Sequence, residues 1–160
     1  MIKTNVMRIL DKAKIDYDVK TYDVSDGLLD GVTAAKKVGL DPETVFKTLV
    51  TQTPEREFLV FVIPVSSELD LKKAAKAAHV KSTSMIPQKL LLPTTGYIHG
   101  GCSPIGMKKR FRTFIHDSAE NYDVIAVSAG KIGEQIILSP ASLKTLVCAE
   151  FADITRNEVI

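Results

Sequence analysis

Two apolar runs, roughly residues 45 to 52 and 57 to 65, flank the polar stretch Thr53-Pro54-Glu55-Arg56 and constrain the fold more than any other feature of the chain. Rich in Val, Phe, Leu and Ile, they read as two strands separated by a turn. The first carries a cation in its middle, Val45-Phe46-Lys47-Thr48-Leu49-Val50. Burying an unpaired ammonium costs several kcal/mol, so Lys47 either snorkels into solvent or faces a cavity that holds an anion or a polarised carbonyl. The strand pattern leaves both outcomes open.

Helical and strand periodicities interleave around this pair. Thr4 is suited to cap a helix with Val6, Ile9, Leu10 and Ala13 at helical spacing, and Ile15 to Tyr22 reads as a strand. Ser25-Asp26-Gly27 begins a loop, Thr33 is the predicted cap of a short helix through Val38, and Gly39 closes it before a turn at Asp41-Pro42. Asp70 should cap an amphipathic helix with Leu71, Ala74, Ala75 and Ala78 on one face and Lys72, Lys73 and Lys76 on another. A short helix near Pro87 to Leu92 leads into an extended, glycine-punctuated segment, Gly96 to Gly101. Strands are predicted at 112 to 116, 123 to 128 and 134 to 138, and Ser139-Pro140 opens a last helix through Val147. The crowding of strands after residue 95 argues for a mixed sheet. With 160 residues and 45% hydrophobic content, residues 1 to 160 are expected to form a single α/β mixed domain with one core.

A net charge of +2, with no basic tail or acidic tract, does not mark a nucleic-acid protein by itself, so any anionic partner must meet local clusters. Cys102 and Cys148 form no CxxC, and His79, His99 and His116 share no ligand spacing, so neither a zinc site nor a disulfide framework is expected. No metal or cofactor is predicted. Free cysteines point to a reducing compartment, and neither a signal peptide nor an apolar run of ~18 to 20 residues is read, so a cytoplasmic protein without membrane association is expected.

The phosphate-loop pattern fails at Met107, where Lys-Ser/Thr would be required, and GxGxxG after a strand, GxSxG and HExxH are all missing. Two glycine-bearing segments remain: Gly100-Gly101-Cys102-Ser103-Pro104-Ile105-Gly106 and Ser128-Ala129-Gly130-Lys131-Ile132-Gly133. Glycine lets backbone N–H groups approach a ligand oxygen, so each segment could donate to an oxyanion or phosphate, or be no more than a tight turn. Lys108-Lys109-Arg110, directly after the first segment, would suit a phosphate backbone at the mouth of a pocket, or be a solvated turn. Cys102 with His99 three residues earlier admits a nucleophile reading, but no third, orienting residue is indicated, and an inert, packed thiol is the plainer expectation.

Taken in order, Thr21-Tyr22-Asp23, Val45 to Leu49, Leu69 to Lys76, Thr95 to Pro104 and Ser128 to Lys131 closely resemble the YbaK family. That family contains bacterial Cys-tRNA(Pro)/Cys-tRNA(Cys) deacylases and is related to the editing domain of prolyl-tRNA synthetase; the match runs from about residue 20 to residue 154. The resemblance implies a curved mixed sheet forming a barrel-like core flanked by helices, with a cleft for the aminoacyl end of tRNA. It makes Lys47 the indispensable polar residue of that cleft. Tyr22, Gly100, Gly101, Ser103, Pro104, Ser128, Gly130 and Lys131 are carried over as its lining, and the basic run Lys108, Lys109 and Arg110, read from its charge and its place beside the first loop, is the expected tRNA contact. Ala129 stands where a second glycine is common, and Gln135 where relatives often place a small or acidic polar residue. The implied function is hydrolytic trans-editing of mischarged aminoacyl-tRNA, Cys-tRNA(Pro) foremost, in complex with prolyl-tRNA synthetase. A non-catalytic RNA-binding module, or a deacylase for another species such as Ala-tRNA(Pro), are the alternatives.

Overall fold

Each longer helix begins where a short polar side chain can satisfy backbone N–H groups that the helix itself leaves unpaired. Thr4 Oγ1 accepts from Met7 N at the head of α1 (Asn5–Lys12), and Asp70 Oδ1 accepts from Lys72 N and Lys73 N at the head of α3 (Leu71–Ala78). Between them α2 (Gly31–Lys37) is capped by Asp30 and not by Thr33: Asp30 Oδ1 accepts from Thr33 N at 2.9 Å, and the Thr33 hydroxyl donates to Asp30 Oδ2. The carboxylate three residues upstream takes the capping role and moves the helix start forward. A 3-10 turn, Gln88–Leu90, runs into α4 (Leu91–Thr95), and α5 (Pro140–Val147) is capped by Ser139 with proline in its first turn. The computed structural model describes residues 2–28 and 30–156.

The eight strands of the described residues form two sheets. β1 (Asp18–Thr21), β6 (Ile125–Ser128) and β7 (Glu134–Leu138) make an antiparallel sheet in the order β1-β7-β6. The second sheet has the order β4-β2-β3-β5-β8, from β2 (Phe46–Gln52), β3 (Phe58–Pro64), β4 (Ser84–Met85), β5 (Arg112–His116) and β8 (Glu150–Ala152). β2 and β3 pair antiparallel, Lys47 opposite Ile63, whereas β3–β5 and β5–β8 are parallel, so the mixed character expected from strand crowding is present. The barrel-like core is not: among the described residues the two sheets share a single backbone bridge, parallel, between Val45 and Ala126, and no closed barrel forms. Past that bridge no ladder joins β2 to β6 among the described residues.

Other expectations shift in detail. β1 begins at Asp18 and not at Ile15, and Gly96 to Gly101 is irregular, with Gly96 closing α4 at φ 88°. β4 and β8 were not anticipated; two and three residues long, they are too short for a period to show.

Alternation along β2 and β3 divides the interior. Phe46, Val50, Val60 and Val62 join α1 and α5 in the main core, and Leu59, Phe61 and Ile63 pack on the other side with Leu69, Ala74 and Ala78 of the α3 region. There Phe61 and Phe114 stack with ring centroids 5.4 Å apart. The lysines opposite the apolar face of α3 are not all solvated: Lys73 Nζ bridges to Asp153 and donates to Thr155 O, tying α3 to the C-terminal segment. No helix of the described residues is long and apolar enough to cross a membrane.

Candidate functional site

Beside the unpaired stretch of β2 beyond the Val45–Ala126 bridge lies a cleft of about 160 Å³. Phe46 to Leu49 of β2 line one side, Ser128 of β6 and Gln135 of β7 another, and Tyr22, the start of α2, Leu91, His99, Gly100 and Cys102 complete it. Lys47 therefore opens into a concavity and not onto a convex exterior. Its ammonium is half-buried, and loss of hydration lowers its pKa while the charge of the Glu68 carboxylate opposes the shift. Among the described residues it makes no hydrogen bond and no ion pair. A partly dehydrated cation without a partner is poised to meet an anion or a polarised carbonyl.

The first glycine loop divides its backbone donors. Gly101 N donates to Ile98 O at 3.0 Å and Ile105 N to Ser103 Oγ at 3.3 Å, whereas the N–H groups of Gly100 and Cys102, both in the cleft lining, reach no acceptor among the described residues. Gly100 holds φ 87°, a conformation that favours glycine. Behind it the two glycine loops touch: a Cβ on Gly101 would lie 3.1 Å from Ile132 N. The second loop sets the far wall. Ser128 Oγ accepts from Gly130 N, and Gly133 O accepts from Tyr22 N at 2.9 Å, which holds Tyr22 at the cleft.

Of the residues carried over from the resemblance, Tyr22, Lys47, Gly100 and Ser128 share this cleft. Gly101, Ser103 and Gly130 do not line it. Ser103 is fully buried, and Gly130 packs on Tyr97 and Val6, so these three build the loops. Lys131 is exposed on the second loop. Pro104, Lys109 and Arg110 belong to a different cavity of about 260 Å³, between the first loop, α1 and α5, and Lys108 lies over Gly96. The basic run thus stands on the other side of the first loop from Lys47.

Burial pushes the Cys102 thiol up to about 12, so it is protonated at neutral pH and the nucleophile reading with His99 loses its thiolate. Sequence reasoning did not assign Thr48 and Gln135. The Thr48 Oγ1 and Gln135 Oε1 atoms are buried with no partner in a cleft-lining position. The available signal was a polar residue at the head of the apolar run Gln135-Ile136-Ile137-Leu138. Gly31 gave no such signal.

Comparison with known proteins identifies the family and the fold. The family model of the aminoacyl-tRNA editing domain matches residues 30–146. A protein of Enterococcus faecalis named as a candidate Cys-tRNA(Pro)/Cys-tRNA(Cys) deacylase, EbsC, is 45% identical over 156 residues, 98% of this chain and 95% of its own. The crystal structure of a candidate trans-editing enzyme for prolyl-tRNA synthetase shares the fold with a TM-score of 0.81 at 19% identity, covering 98% of this chain and 100% of that one. A hypothetical protein of known crystal structure superposes with a TM-score of 0.87 at 17% identity over 96% of this chain and 100% of its own. Sequence and fold agree, and the chain belongs to the aminoacyl-tRNA editing domain family.

Proposed function

We propose that this chain hydrolyses the ester of mischarged aminoacyl-tRNA in trans, Cys-tRNA(Pro) foremost. The carrying observation is Lys47, half-buried and unpaired among the described residues, in a cleft that also presents the uncommitted N–H groups of Gly100 and Cys102. An aminoacyl ester already has an activated carbonyl and a ribose leaving group, so its cleavage demands orientation and charge stabilisation more than a protein nucleophile. Gly100 and Cys102 N–H serve the developing oxyanion. Lys47 holds the terminal ribose or phosphate, or polarises the carbonyl, with Tyr22 and Ser128 on the opposite wall.

For a cysteinyl ester, the substrate's own thiol attacks the ester carbonyl. The sulfur–acyl carbon bond forms, the bond between the acyl carbon and the ribose oxygen breaks, and the thiol proton ends on that oxygen as the ribose hydroxyl. Water then opens the cyclic thioester to free cysteine. Serine and alanine esters lack that sulfur, so part of the selection is chemical.

Lys108, Lys109 and Arg110, exposed beside the first loop, are suited to phosphates of the acceptor stem. With a net charge of only +2, tRNA choice is left to a partner, and prolyl-tRNA synthetase is the proposed one.

Incubation with purified Cys-tRNA(Pro), Ala-tRNA(Pro) and Ser-tRNA(Pro) tests the reading, with fastest release expected for cysteine. Lys47→Ala should lower that rate by about 100-fold or more while the protein stays folded. Wild-type turnover in Lys47→Ala rejects the role of Lys47. Binding without release by the wild type would identify a non-catalytic RNA-binding module instead.

A further inference from the structure

Thr48 occupies an unusual stretch of β2. Val45 O accepts from Val65 N on the β3 side, and Val50 O accepts from Ile86 N on the other. Because backbone groups in an antiparallel pair point alternately to the two edges, Thr48 N–H and C=O face away from β3, as those of Val50 do. Pairing with β4 covers only Thr51 and Gln52, and the bridge to β6 lies back at Val45. No strand of the described residues covers the edge at Thr48. The cleft confirms this placement, since Lys47 and Thr48, whose side chains leave opposite faces of β2, both line it. That happens when a cavity lies along a strand's edge.

Two further acceptors join the open carbonyl. Thr48 Oγ1 and Gln135 Oε1 are each buried without a partner, and Gln135 as a whole is 7% exposed. Unpaired buried oxygens are costly and native proteins hold few of them, so a cluster lining one cleft points to a donor supplied from outside. The donor must be small and carry several hydrogens.

Resting on the hydrolase reading above, we infer that Thr48 and Gln135 form the seat of the substrate's amino group. That group donates hydrogen bonds whether neutral or protonated, and it lies one carbon from the ester carbonyl. Thr48 C=O, Thr48 Oγ1 and Gln135 Oε1 accept from it, which turns the reacting carbonyl toward Gly100 and Cys102 N–H. Neutral acceptors suit this place, because a carboxylate would pair with Lys47 and occupy it. The consequence is specificity for a free amino group: peptidyl-tRNA and N-acylated aminoacyl-tRNA are refused, so the protein spares chains in synthesis.

The test compares Cys-tRNA(Pro) with its desamino counterpart, the 3-mercaptopropionyl ester on the same tRNA, each rate divided by its own spontaneous hydrolysis. Wild type should favour the cysteinyl ester by about tenfold or more, the usual consequence of leaving buried polar groups unpaired. Gln135→Leu should erase most of that preference by slowing the cysteinyl ester alone, and Gln135→Asn, which keeps a neutral acceptor, should retain part of it. Equal wild-type rates, or an equal loss on both esters in Gln135→Leu, would overturn the inference and leave the hydrolase standing. Failure of wild type to cleave either ester would overturn the hydrolase and this inference together.

Discussion

At the scale of single residues, Lys47 was legible because a cation in an apolar strand breaks a pattern that burial otherwise enforces. Its cost to the fold is also measurable. A lysine whose folded pKa is lowered binds fewer protons folded than unfolded at alkaline pH, so stability rises as pH climbs through the folded value toward the ordinary lysine pKa. Lys47→Met, an uncharged chain of similar reach, should therefore melt higher than wild type at pH 7, and the gap should narrow by pH 10; a gap that widens would contradict a dehydrated ammonium. Cys102 makes the opposite case. Its thiol, pushed up to about 12, should resist iodoacetamide at pH 7.5 while the exposed Cys148 reacts, giving one label per chain. Cys102→Ala should leave deacylation within about threefold of wild type, because only its N–H is assigned a role and alanine keeps that N–H. Labelling of Cys102, or a large loss of rate in the variant, would restore the nucleophile.

At the scale of elements, most helix caps and the longer strands could be read directly because their signals are local: a short polar cap before a period of 3.6, or an apolar run between turns. The seat of α2 could not. Gly31 has an ordinary backbone, but a Cβ there would fall 2.5 Å from Val65 Cγ1 and 2.8 Å from Val65 Cβ, a contact set by the end of β3 and invisible to any local window. Substitution must push α2 off Val65. Since Asp30, Gly31 and Ala34 line the cleft, the displacement reaches the site. Gly31→Ala should lower stability by about 1 to 3 kcal/mol through overpacking and reduce turnover, although alanine favours helix elsewhere. Denaturant titration and a deacylation assay on the same preparation would check both effects, and a more stable, fully active variant would show that the close approach is absent.

For the whole molecule, the sequence period identified strands but not which sheet each would join. Closure of a barrel would require β2 and β6 to pair along their lengths; among the described residues they are bridged only through Val45 and Ala126, and the cleft lies beside the unpaired stretch. Whether two strands stay paired is settled by contacts far apart in sequence. The same holds for His116, which had no evident partner in the sequence and links the end of β5 to the C-terminal segment. Its Nδ1 accepts from Ile154 N at 3.3 Å, so Nε2 carries the proton and lies 3.3 Å from Thr155 Oγ1. Dehydration holds the imidazole below its ordinary pKa, against the pull of Asp117 and Asp153, with Lys73 adding to the depression. The unfolded chain takes up this proton first as pH falls below about 6.5, so this contribution to stability is full at neutral pH and drains away toward the lower, folded value. Protonating Nδ1 also removes the acceptor for Ile154 N–H and frees the segment that Lys73 fastens to α3. Thermal melts from pH 7.5 to 5 should fall more steeply for wild type than for His116→Gln, which lacks the titrating ring, and the protection of the Ile154 amide, its exchange rate taken relative to the intrinsic rate at each pH, should fall over the same interval. Parallel melting curves for the two proteins would mean that the imidazole is not the group that drives the acid loss.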